Sequence, residues 1–146
     1  MTSDLDELYK DAILDHYRNP RGSGKLESPT HSAIGHNPLC GDEVTVEVKL
    51  DGDVIEQIGH ISTGCAICVA SASLMAESVT GKTIKKFKLF SDQFYNLVKG
   101  GDVHDEMGKL VVLAGVSEFP MRVKCATLAW HTLESALAGR REAKTE

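Results

Sequence analysis

A chain of 146 residues, 42% apolar and 25% charged, is sized for one soluble globular domain spanning residues 1–146, with a core that needs no disulfides. Its net charge of −5 argues against a nucleic-acid partner, and its acidic, polar start has neither the basic-then-apolar order of a secretory leader nor the length of a membrane span. The expected compartment is the cytoplasm, where four cysteines read as ligands, catalytic thiols or core residues rather than as a disulfide framework.

Leu5, Leu8, Tyr9, Ala12, Ile13, His16 and Tyr17 recur at helical spacing, predicting one amphipathic helix capped by Ser3 or Asp4 and ended by Asn19-Pro20. Residues 21–39 are rich in Gly, Pro, Ser, His and Asn and predict an irregular connection, with a short strand near 32–36. Val44, Val46, Val48 and Leu50 then alternate with polar residues. With Asp51-Gly52 and a second β-rich run over 54–62, they predict an antiparallel hairpin buried on one face.

Small residues dominate 65–79, which predicts a helix ending at Thr80-Gly81, followed by a second over 83–98 closed by Gly100-Gly101. Lys82, Lys85, Lys86 and Lys88 form a basic stretch that reads as a solvated helix face, with docking of an acidic partner as the alternative. A short helix over 109–116, a break at Pro120, a last helix over 125–138 and a frayed tail from Arg140 complete the prediction. The fold class is α+β: a small antiparallel sheet with helices packed on one side.

Three cysteines lie in separate contexts, Asn37-Pro38-Leu39-Cys40-Gly41-Asp42, Gly64-Cys65-Ala66-Ile67-Cys68 and Arg122-Val123-Lys124-Cys125. Thiolates and a carboxylate drawn from distant stretches can close a four-coordinate site around zinc or part of an iron–sulfur cluster. Cys65 and Cys125 fall at predicted helix starts, where unpaired N–H groups favour a thiolate. Gly41 lets the chain turn so that Asp42 returns a carboxylate to the side of Cys40. Arg122 and Lys124 are the nearby cations that would offset the surplus negative charge of such a site.

The competing reading makes these cysteines small buried hydrophobes. Spacing alone leaves both readings open. Cys68, one helical turn beyond Cys65, reads as core, with a spare thiol as the alternative, and His36 is close enough to Cys40 to support a ligand. The remaining histidines show no pairing at ligand spacing, and there is no phosphate-binding loop or nucleophile elbow.

Taken together, these motifs resemble those of the U-type iron–sulfur cluster assembly proteins, the IscU/NifU-N-terminal-like family. Leu8-Tyr9 through Asp15-His16-Tyr17-Arg18-Asn19-Pro20-Arg21 is similar to the family's N-terminal signature, and Asn37 through Asp42 to its first ligand loop. Gly64-Cys65 with Ala70-Ser71-Ala72-Ser73-Leu74 resembles the second, and Phe119-Pro120 through Trp130 the third. Lys124 stands where IscU scaffolds usually have a histidine, and the stretch between the second and third cysteines is longer; both departures resemble the SufU branch.

That resemblance implies a Zn²⁺ site made by Cys40, Asp42, Cys65 and Cys125. It also implies acceptance of persulfide sulfur from a SufS-type cysteine desulfurase, with Cys40 as sulfur acceptor, Arg122 orienting or compensating Asp42, and delivery to downstream iron–sulfur assembly or acceptor proteins. The alternative it carries is a scaffold for a labile [2Fe-2S] cluster on the same ligands.

Overall fold

The computed structural model describes residues 4–38 and 40–144, with side chains of residues 4–9 and 144 outside the description. Helix α1 spans Asp4–Arg18, so Asp4 is its first helical residue rather than its cap, and the other candidate cap, Ser3, lies outside the described set, as do the Leu5, Leu8 and Tyr9 side chains. His16 is buried as the stripe predicts, but Tyr17 at its end is exposed.

The segment after α1 is held by Arg21 rather than by its own secondary structure. Its backbone N–H donates to Ser73 Oγ at 2.8 Å, its carbonyl accepts from His60 Nε2 at 2.7 Å, and its guanidinium pairs with Asp15 at 2.8 Å. Ser73 Oγ also meets His16 Nδ1 at 2.6 Å, so one buried hydroxyl joins the helix and the segment that follows.

Three antiparallel strands follow, β1 (His31–Asn37), β2 (Asp42–Asp51) and β3 (Val54–Thr63). Val44, Val46 and Val48 are completely buried while Glu43 is exposed, the period-two alternation of a sheet covered on one face. A short fourth strand, β4 (Glu142–Lys144), pairs with β1 in parallel, giving the order β3-β2-β1-β4. The tail expected to fray is therefore fastened to the sheet through position 144, and the sheet is mixed rather than purely antiparallel.

The buried face carries α2 (Ala66–Val79) and α4 (Pro120–Leu137), with α3 (Ile84–Val98) and a 3₁₀ segment (Asp105–Glu118) completing the layer. Small residues let the helices approach closely: a Cβ at Gly35 on β1 would collide with Thr132 of α4. Trp130 of α4 anchors the core, stacking on Phe94 (centroids 4.5 Å apart) and Phe87 (6.0 Å), and its Nε1–H donates to Ser71 Oγ at 3.1 Å.

Thr83 caps α3 by accepting from the Lys86 N–H at 3.1 Å. Lys82, Lys85 and Lys88 are exposed, and Lys86 pairs with Glu106 at 3.3 Å, in accord with a solvated face. The expected helix over 109–116 is a longer 3₁₀ segment broken at Gly108 (φ 55°, ψ −125°). Among the described residues no helix is long and apolar enough to cross a membrane.

Candidate metal centre

The turn from β1 to β2 sets the first two candidate ligands. The Asn37 carbonyl accepts from the N–H groups of Cys40 (3.3 Å) and Gly41 (2.8 Å), and Gly41 takes φ 73°, a conformation glycine adopts without strain. Cys40 is thereby left exposed, and two residues later Asp42 enters β2 with its side chain buried.

At the same end of the sheet β3 passes through Gly64 (φ 134°) into α2. Cys65 is the N-cap of that helix, its Sγ accepting from the Cys68 N–H at 3.4 Å. Asp42 Oδ1 accepts from the Cys65 N–H at 3.0 Å, which leaves Oδ2 3.8 Å from Cys65 Sγ. A Cβ at position 64 would collide with this carboxylate, so glycine is what allows it to sit there.

Cys125 arrives differently from expectation. Helix α4 starts at Pro120, whose missing N–H and fixed φ suit the first helical position, so Pro120 begins the helix instead of only breaking the preceding one. Cys125 therefore lies in the second turn, buried, and not at the helix start. Burial pushes its thiol well above the usual range, and contacts with Asp42 and the neighbouring sulfurs push it the same way. Its Sγ is 3.7 Å from Cys40 Sγ.

Cys40, Asp42 and Cys125 each offer a ligand atom, all within 4.8 Å of one another, and Cys65 adjoins this group through Asp42. Three sulfurs and a buried carboxylate are a donor set that a cation would fit: Zn²⁺ and iron both accept thiolate with oxygen, and the buried negative charge calls for compensation.

Among the described residues, the expected cations form no ion pair with this group. The Arg122 guanidinium lies over the Phe119 ring, 4.3 Å from its centroid, and neither Arg122 nor Lys124 forms an ion pair with Asp42. Arg122 instead lines an apolar cavity of about 680 Å³ that reaches Cys40, Cys65 and Cys125, its walls including Ile13, Ile67 and Val116.

Cys68 faces the core, completely buried, and burial raises its thiol as well. His36 meets Glu43 at 3.8 Å, outside the sulfur group. One contributor went unrecognised in the sequence: the Asn37 side chain, fully buried, places Nδ2 3.9 Å from Cys125 Sγ. Its position three residues before Cys40 was visible, but the partner 88 residues away was not.

Residues 8–140 match the family of NifU-like N-terminal domains. The chain belongs to that family. Within it, this NifU-like domain is 41% identical over 138 residues to the zinc-dependent sulfurtransferase SufU of Bacillus subtilis, covering 93% of each chain. It is 38% identical over 137 residues to the iron–sulfur cluster assembly scaffold protein IscU of Streptococcus pyogenes, covering 92% of this chain and 86% of that one. The crystal structure of FiSufU from Fervidobacterium islandicum AW-1 superposes with a TM-score of 0.81 at 36% identity, covering 93% of this chain and 99% of that chain. The four-stranded sheet and its helical layer are thus the architecture of IscU- and SufU-type structures.

Proposed function

We propose that this NifU-like domain serves iron–sulfur cluster assembly by accepting persulfide sulfur on Cys40 from a SufS-type cysteine desulfurase, with Cys40, Asp42, Cys65 and Cys125 as ligands of Zn²⁺. The observation that carries this reading is the asymmetry of the thiols: Cys40 is exposed at a turn, Cys125, 3.7 Å away, is buried, and Cys65, also exposed, has its sulfur tied to the Cys68 N–H as a helix cap. The name of the Bacillus subtilis relative supports sulfur transfer and zinc. Lys124 and the longer stretch before Cys125 support the SufU branch.

Bound Zn²⁺ would supply a charge that keeps the ligand sulfurs deprotonated. The chain's own residues provide the rest. The Asp42 carboxylate, held by the Cys65 N–H, stays in place. The Cys40 thiolate attacks the outer sulfur of the donor persulfide, a new S–S bond forms at Cys40, the donor S–S bond breaks, and the donor cysteine leaves as a thiolate that takes a proton. Sulfur changes carrier without any external oxidant or reductant. The apolar cleft beside the sulfurs opens to the exterior, so a donor persulfide can reach Cys40, and Arg122 at its wall is placed to attract the anionic persulfide.

The test is to mix the zinc-loaded protein with persulfidated desulfurase in the absence of iron, alkylate, and map the added sulfur by mass spectrometry. Sulfur on Cys40 is the expected result. Sulfur confined to Cys65 or Cys125, or to none, contradicts the assignment. Failure of transfer together with a [2Fe-2S] chromophore built on the same ligands would favour the scaffold role named for the Streptococcus pyogenes relative.

A further inference from the structure

Asn37 touches the candidate centre in three ways. Its carbonyl holds the turn that carries Cys40, it is the cross-strand partner of Asp42, and its side-chain amide faces Cys125 Sγ at 3.9 Å. The residue is fully buried at the end of β1. An amide in that position can donate N–H to the sulfur, and an N–H donor to a ligand thiolate both orients the sulfur and draws charge from it.

The other sulfurs differ in this respect. Cys65 Sγ accepts from the Cys68 backbone N–H at 3.4 Å. Cys40 Sγ faces the Cys125 sulfhydryl, and among the described residues no N–H donor reaches it. Cys65 at the helix cap and Cys125 within a helix therefore each have an N–H directed at sulfur, whereas among the described residues Cys40, exposed at the turn, has none.

We infer that Asn37 is a positioning residue for this centre: its side-chain amide donates to Cys125 Sγ and fixes that sulfur as a stationary ligand, leaving Cys40 as the more nucleophilic thiolate. The first half concerns metal binding alone; the second rests on the sulfur-transfer reading above. Loss of the donor exposes a more electron-rich sulfur at Cys125, which lowers the energy of thiolate-to-metal charge transfer. It also removes an orienting contact of a kind whose loss costs about tenfold or more in metal affinity.

Two measurements test it. In protein loaded with cadmium, NMR should detect scalar coupling between the metal nucleus and the Asn37 side-chain amide protons, carried through the N–H···S contact; assigned amide resonances without coupling would overturn the inference. In cobalt-loaded Asn37→Leu, which conserves volume without a donor, the charge-transfer band should shift to longer wavelength at unchanged cobalt stoichiometry; a band at the wild-type position would count equally against it. The coupling needs no substitution, so it decides the matter even where Asn37→Leu does not fold. With glutathione persulfide as donor, added sulfur should appear on Cys125 as well as Cys40 in zinc-loaded Asn37→Leu. Sulfur on no cysteine of the wild type would fail the transfer reading, while the cadmium coupling would still judge the contact.

Discussion

Asp42 Oδ1 accepts a 3.0 Å hydrogen bond from the backbone N–H of Cys65, so the carboxylate of one strand and the cap of helix α2 are a single unit. Gly64 makes this contact sterically possible. Gly64→Ala should therefore lose metal and stability together. The added methyl meets the carboxylate and the residue must keep a positive φ, for a combined cost of about 2–4 kcal/mol. Metal analysis after dialysis and urea unfolding check this; wild-type values in both would show that the carboxylate moves aside freely.

Asp42→Asn separates the structural task of the carboxylate from its charge. The amide oxygen can still accept from the Cys65 N–H, so folding should be near wild type. Zinc affinity should fall by about one to two orders of magnitude because an anionic ligand is lost. Competition with a chromophoric chelator measures this, and an unchanged affinity would remove Asp42 from the ligand set.

Two buried histidines make stability depend on pH. Burial lowers both His16 and His60 below the ordinary histidine value of 6.5, with Arg21 also disfavouring the charged form at His16. The unfolded chain then binds protons that the folded chain does not, so stability rises with pH across the interval between folded and unfolded values and is lost as pH falls below about 6.5. Unfolding by urea at about pH 7.5 and pH 5.5 should show the loss. Replacing His60 by Gln should flatten the slope; an equal slope in the variant would mean His60 does not contribute.

Cys68→Ala should leave sulfur acceptance near wild type and reduce stability by about 1 kcal/mol, because the thiol fills core space and does not face the sulfur group. Sulfur-transfer assays beside urea titrations separate the two effects. A large loss of transfer in a stably folded variant would give Cys68 a chemical role.

The hairpin and α2 were legible in the sequence because strict alternation and a small-residue run bounded by glycine each have a local cause. The start of α4 was misplaced because Pro120 suits the first position of a helix as well as the end of a segment, and only the chain's packing distinguishes them. β4 has no local signal: Glu142–Lys144 becomes a strand because β1 offers an open edge. Cys40, Asp42, Cys65 and Cys125 could be singled out by residue type and by resemblance. The contact of Asn37 with Cys125, and the stacking of Arg122 on Phe119 instead of an approach to Asp42, depend on tertiary geometry.

The central claim is tested most directly by the turnover of a SufS-type cysteine desulfurase with iron excluded and substoichiometric zinc-loaded protein added. Many desulfurase turnovers per added molecule, lost on zinc removal and in Cys40→Ala, are predicted. Absence of stimulation by the zinc-loaded wild type would contradict the sulfur-transfer account.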